Sequence, residues 1–390
     1  DLHSFPTRRS SDLWQNPEND VDVITTGGSG FGIAGIIVAI ERGFIPRSQG
    51  VARLHKIADY LAKADRFHGV WPHWMYGKTG KVKPFSHKDN GGDLVESSFL
   101  MQGLLCAREY FKNGSETEKE LAQKIDRLWR SMEWNWYLNG QDHLYWHWSP
   151  DYQWEMNFPL RGYNECLITY ILAASSPTYP IPATAYHKGW ASGGAIRSDA
   201  VAYGLPLLLR HNGAEAYGGP LFWAHYSYIG LNPKGLKDDY ADYWVVNRNH
   251  AMINYRYCAE NPKGFKGYGD SCWGVTASYS VNGYEAHMPE RNDRGVITPT
   301  AALSSFPYTP EESMRALRHF YFDLGDKLWG RYGFFDAFSI HHNWYPQRYL
   351  AIDQLTIAPM IENHRTGLLW NLFMGAPEIR KGLKKLGFTR

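Results

Sequence analysis

About a dozen segments of this chain carry apolar residues at a helical period, and most are separated by loops too long to be passive connectors. The candidate helices are 30–43, 48–65, 94–112, 116–138, 161–175, 198–210, 218–230, 239–260, 297–305, 310–329, 353–373 and 376–387. Between them, segments 71–92, 139–160, 267–295 and 330–353 alternate aromatic with polar residues, some over short β-like stretches such as HLYWHW. Loops of that length usually carry function. Short and long connections alternating between antiparallel helices describe an all-α toroid that gathers its long loops at one end. No strict sequence repeat accompanies this rhythm, so an α/α solenoid or an irregular helical bundle also satisfies it.

One helix holds the first chemical signal. In GGDLVESSFLMQGLLCAREYF (91–111) the apolar positions Leu94, Val95, Phe99, Leu100, Leu104, Leu105 and Tyr110 follow the helical period, and Gly91-Gly92 marks the start. Asp93 and Glu96 then share one face at its N-terminal end. They fit a capping box, with Glu96 reaching back to the Asp93 amide, and they equally fit a pair of acids on the rim of a cleft.

Two further acids stand out. Glu165, in RGYNECLITYILAASSP (161–177), is followed by an uncharged apolar run. Desolvation there raises a carboxyl pKa, as a general acid needs near neutral pH; the other reading pairs Glu165 with Arg161 one turn earlier. In AIDQLTIAPMIENHRTG (351–367) Asp353 is placed to cap the last long helix, and Glu362 is spaced to pair with Arg365.

Composition removes several classes. With 41 basic and 39 acidic residues the net charge is +2, which supplies no basic field for nucleic acid. The longest apolar run, 31–44, is broken by Glu41 and Arg42, too short for a membrane span. Cys106, Cys166, Cys258 and Cys272 show neither CxxC spacing nor a dense framework, so buried free thiols are expected and no zinc site is indicated. Aromatic residues make up 15% of the chain, 16 Trp and 26 Tyr among them, more than a core requires. Many lie in polar company, which points to platforms for sugar rings and, with the acids, to a sugar-cleaving enzyme. Residues 1–13, DLHSFPTRRSSDL, are polar and aperiodic and read as a foreign or disordered segment.

The strings TTGGSGFGIAGIIVAIERGFI (25–45), KADRFHGVWPHWMYGKTGKVKPFS (63–86), GGDLVESSFLMQGLL, FPLRGYNECLITYILAASSPTYPIP (158–182), YWVVNRNHAMINYRYC (243–258) and AIDQLTIAPMIENHRTGLLW resemble the bacterial glycoamylase family, glycoside hydrolase family 144. The resemblance runs from about Trp14 to Phe388. It implies an (α/α)6 barrel spanning 14–390 as one catalytic domain, export to the periplasm or beyond, and metal-independent, inverting cleavage of linear β-1,2-glucan. The family's acidic cluster maps onto Asp93, Glu96 and Glu165, with Asp353 as a further candidate. Members begin with a signal sequence and an aromatic-rich first helix; residues 1–13 match neither, so that helix is expected to be missing or replaced.

A neutral polymer is best held by aromatic faces and polar contacts. Trp71, Trp74, Trp146, Trp148, Trp190, Trp273 and Tyr279 are the candidates for the faces, and His147, Arg161, His287 and Arg365 for the contacts, while Trp129 and Trp370 fit helix cores. In an inverting scheme Glu165 is the acid, and the base is Asp93 first, then Glu96 or Asp353. No cofactor or metal is required; the expected partner is an oligo- or polysaccharide, with no nucleic acid or membrane, and the chain is expected to be a monomer. The rival readings are a hydrolase of another glucan, an epimerase, a lyase, and a non-catalytic glucan-binding protein. The adjacent His341-His342 point opposite ways on an extended loop, which weakens the epimerase, and the near-neutral charge weakens the lyase.

Overall fold

The computed structural model describes residues 22–390, so the expected foreign segment 1–13 and the expectation that the first helix is missing or replaced lie outside the described residues. The helices are α1 (Thr26–Glu41), α2 (Arg47–Lys63), α3 (Leu94–Phe111), α4 (Glu116–Arg130), α5 (Leu167–Ser175), α6 (Tyr243–Glu260), α7 (Pro299–Leu303), α8 (Pro310–Arg318), α9 (Gly325–Leu328), α10 (Ala351–Gln354), α11 (Ile357–Arg365), α12 (Leu368–Gly375) and α13 (Pro377–Lys385). Short antiparallel strands decorate the loops: Val23–Thr25 pairs with Trp74–Tyr76, and Gly92–Asp93 with His147–Trp148.

Helices of two characters alternate along the first part of the chain. α3 is buried on nearly every face and α5 on all of them. α2 and α4 are amphipathic, with polar faces to solvent. Ser115 and Glu118 close a reciprocal capping box at the start of α4. α1 lies directly against α3, and the approach depends on two glycines. A Cβ on Gly103 would fall 2.0 Å from the Gly30 carbonyl oxygen, and one on Gly30 would fall 2.1 Å from that of Phe99. One hydrophobic cluster runs from Phe31 to Phe388.

Several expected helices are corrected. Residues 198–210 form a hairpin, Arg197–Ala202 against Leu205–Leu209, closed by Tyr203 (φ 52°) and Gly204 (φ 74°). Two left-handed residues between alternating side chains are a hairpin signal that outweighs helical propensity. Segment 218–230 is reduced to two 3-10 turns, Leu221–Ala224 and Tyr226–Tyr228. The segment 353–373 is divided among α10, α11 and α12, broken around Thr356 and Gly367. α5 begins at Leu167, which leaves Glu165 in the turn before it.

Candidate active site

The start of α3 is built around Asp93. Its Oδ1 accepts the amides of Val95 (3.0 Å) and Glu96 (2.9 Å), as an N-cap should. Its Oδ2 receives His73 Nδ1 at 2.9 Å and the Trp146 indole N–H at 3.0 Å. Burial opposes ionisation, but the His73 hydrogen bond and charge, the Glu96 amide and the Trp146 indole outweigh it and hold Asp93 below the ordinary carboxylate range.

Glu96 does not close the expected capping box. Its Oε2 accepts the amide of Gly27 at 2.8 Å, across 69 residues of sequence, and so caps the first turn of α1. A Cβ at position 27 would lie 2.4 Å from that oxygen, so a side chain there would push the Glu96 carboxylate off the amide. The Asp93 amide instead donates to the Trp71 carbonyl at 2.9 Å.

Two residues without a signal in the sequence complete this group. His73 sits between the acids, with Nδ1 4.0 Å from Asp89 and Nε2 3.9 Å from Glu96. Burial works against its charge, yet Glu96, Asp93 and Asp89 together raise its pKa. Asp89 is buried, with Oδ1 3.2 Å from His147 Nε2. His73, Asp89 and Asp93 also present donor atoms within 4.8 Å of one another, the spacing a cation would need.

Glu165 precedes α5 and is buried. The neighbouring Cys166 thiol is pushed up by its burial and then by the charges of Glu165, Asp93 and Glu96. Charges from the start of α3 and from the turn before α5 therefore act on one side chain. The Arg161 guanidinium turns to His143 Nδ1 at 2.8 Å and to the Lys188 carbonyl.

Asp353 does not cap a helix; Leu350 holds that position, and Asp353 lies inside α10, fully buried. Its Oδ1 accepts the Tyr226 hydroxyl. Against it lies Asp336, which the sequence reading missed. Asp336 is buried, accepts the Tyr279 amide at 3.1 Å and donates its own amide to the Arg348 carbonyl at 2.7 Å. Burial raises its carboxyl to about 6, despite the opposing pull of the Tyr279 amide, Asp353, Gln354 and Arg348. Gly28 at the start of α1 abuts Ile352 of α10, so the element carrying Asp353 meets the helix that Glu96 caps.

Known proteins resemble this chain over most of its length. Residues 157–377 match the Glycoamylase family. A solved endo-β-1,2-glucanase from Chitinophaga pinensis, in complex with sophorotriose and glucose, is 63% identical, with a TM-score of 0.96 over 97% of this chain and 90% of that one. The chain belongs to glycoside hydrolase family 144, the glycoamylases. A second relative, the exo β-1,2-glucooligosaccharide sophorohydrolase (non-reducing end) of Parabacteroides distasonis, is 48% identical over 387 residues. This glycoamylase chain spans about half the length of that protein, 53%. A solved β-1,2-glucanase from Parabacteroides distasonis is 46% identical with a TM-score of 0.90, over 94% of this chain and 55% of that one.

Within the glycoamylase frame, several expected sugar contacts are corrected to core side chains. The rings of Trp71, Trp190 and Trp273 are 0% exposed. Trp71 donates to the Leu61 carbonyl and Trp273 to the Glu312 carbonyl, and Trp190 packs on Tyr163 and Tyr170. His147 is buried; burial lowers its pKa to about 4, and its Nε2 accepts the Gly91 amide, a structural use. His287 is likewise buried and lowered to about 4 by desolvation. Arg365 is exposed at the C-terminal end of α11, and Glu362 pairs with Arg42 in a two-pronged ion pair instead.

The remaining contacts stay near the acids or at the edge. Trp146 holds Asp93 directly. Trp74 is buried edge-on to His73. Tyr279 presents its amide to Asp336 and its ring to Arg348 at 4.0 Å. Trp148 is half-buried beside Trp136. The four cysteines are free and buried. Among the described residues no helix is long and apolar enough to cross a membrane.

Proposed function

We propose that this chain is a glycoside hydrolase that cleaves β-1,2-glucan with inversion, on an (α/α)6 barrel of one catalytic domain. Supporting the barrel are the alternation of buried and amphipathic helices and the extended hydrophobic cluster that runs from Phe31 to Phe388. The observation that carries the activity is that the charges of Glu165, Asp93 and Glu96 all act on Cys166, in a chain 63% identical to an endo-β-1,2-glucanase. Action in the periplasm or outside the cell belongs to the same reading.

In this scheme Glu165 gives its proton to the glycosidic oxygen as the C1–O bond breaks, and a base takes a proton from the water that adds to C1 on the opposite face. The base moves from Asp93 to Asp353. Both oxygens of Asp93 are occupied, each by two donors, and its pKa is depressed, so it is a poor proton acceptor. Asp353 faces the Asp336 carboxyl, and two buried carboxyls in contact hold a proton between them rather than both ionise. Asp93, Glu96 and His73 then form the frame that fixes the reacting end of α3.

Incubation with β-1,2-, β-1,3- and α-1,4-glucans, followed by anomer-resolved NMR, tests the reading. The expected result is release from the β-1,2-polymer with the α-anomer appearing first. Starch as the preferred substrate rejects it. Glu165→Gln should abolish turnover while glucan binding persists; unchanged turnover removes Glu165 from the acid role.

A further inference from the structure

A cleft of about 410 Å³ opens between Glu133, Asn135, Trp136, Asn139, Trp154 and Tyr179, none of which belongs to the acid cluster. We propose that this cleft is a second carbohydrate site, which seats a pyranose ring of the glucan chain beside the reacting groove. The proposal rests on the glucanase reading above.

The platform is Trp136, in the 3-10 turn Trp134–Leu138 that follows α4. One face of its indole is stacked on the His68 imidazole, at 3.6 Å and 12°. His68 is in turn held by Glu133 at 2.9 Å, and the Trp148 ring stands edge-on at 5.9 Å. The indole is therefore backed and blocked from rotating, yet it remains 39% exposed. Trp154 lies 6.3 Å away, tilted by 32° and supported by Tyr137 and Tyr145. Tyr179 adds a third ring, exposed like Trp136.

The lining selects the chemistry. Asn135 and Asn139 bring amides that both donate and accept. Asn139 is fixed in a left-handed conformation (φ 47°) by the turn that presents Trp136. The one carboxylate, Glu133, is engaged by His68. An apolar guest would leave the amides without partners, and an anionic guest would meet the Glu133 carboxylate and no cation in the lining. A sugar ring offers a C–H face for the indoles and a rim of hydroxyls for the amides. The volume falls in the range of ligand pockets, roughly 300–1,000 Å³.

Position links the two sites. Trp148, which touches Trp136, pairs in the sheet with Gly92, next to Asp93. A polymer lying in the groove can continue onto the platform, whereas a short oligosaccharide confined to the groove does not reach it. The site then acts on affinity for long chains and leaves the chemical step alone.

Initial rates on long β-1,2-glucan and on sophorotriose, for the wild-type chain, Trp136→Ala and Tyr179→Ala, test this. Removing the Trp136 platform should raise KM for the polymer about tenfold, the loss of one buried aromatic contact, with kcat and the sophorotriose constants unchanged. Tyr179→Ala should shift the polymer KM in the same direction by less, with an unaltered thermal midpoint. Equal KM shifts on both substrates, or no shift on either, overturn the second site. Failure of the wild-type chain to cleave the polymer at all overturns the glucanase reading itself, so the two failures are distinct.

Discussion

Two buried carboxylate groups in this molecule are treated in opposite ways. Around α3, Asp93 and Glu96 accept hydrogen bonds from His73, Trp146 and the amides of Val95, Glu96 and Gly27. Between α10 and the loop before it, Asp336 confronts Asp353, carboxyl against carboxyl. In the first group Asp93 is stabilised in its charged form and has no reason to exchange protons. The second retains a proton that burial makes easy to keep and a neighbour makes easy to pass. What a carboxylate can do here follows from its donors more than from its depth, since both groups are inaccessible to solvent.

The sharpest way to break this comparison is to neutralise one member of each group. Asp353→Asn should lower kcat by about 10²–10⁴, the contribution of a general base, with the thermal midpoint unchanged or raised because a like pair is relieved. Asp93→Ala should instead cost about 3–5 kcal/mol of stability, since His73 and the Trp146 indole lose a buried partner; denaturant titration reads it. The reverse pattern would exchange the roles of the two carboxylates.

The pH dependence sharpens it further. The raised Asp336 carboxyl favours its protonated form in the folded chain, so its contribution to stability falls as pH rises from about 4 to about 6, by up to about 3 kcal/mol. The depressed Asp93 carboxyl contributes stability that is complete above the ordinary aspartate pKa and is lost as pH falls through its folded value. His73, with its pKa raised, contributes fully below the ordinary histidine value and loses that contribution as pH rises through its folded one. Asp336→Asn should therefore stabilise the chain relative to wild type at pH 6 but not at pH 4, measured by thermal unfolding. It should also move the acid limb of the rate profile down by about one pH unit, because Asp353 loses a neighbour that can be charged. The smallest effect is expected from Trp146→Phe, which removes one of four donors to Asp93 and should cost about 1–2 kcal/mol.

Much of this was legible in the sequence where the signal was local. The helices α1 to α3 follow apolar periodicity within a few residues, α4 stops at Arg130 short of the expected 138, and Asp93 at the head of α3 follows from its glycines and the apolar run behind it. The hairpin 197–209 was misread because its apolar residues satisfy two periods, and the turn at Tyr203-Gly204 decides between them. Asp89, His73 and Asp336 were missed for a different reason. Each lies in an aromatic loop without regular spacing, and only tertiary contacts bring it to an acid. The tryptophans misled in proportion to their company: Trp71 and Trp273 sit in polar strings, yet their indole N–H groups are consumed by backbone carbonyls inside the core. Trp136, by contrast, attracted no notice beside the helix it follows, and its stacked His68 is 68 positions away in the chain.

The bond from Glu96 to the Gly27 amide joins two helices whose sequences are far apart. A side chain that looks like part of the reaction is thereby also a rivet of the frame. Selection can preserve such a rivet in a descendant that no longer turns over any polymer, because losing it would loosen the architecture. Inheritance of this acid by a distant homologue is accordingly evidence of shared construction, and competence to hydrolyse must be established from the residues that carry protons.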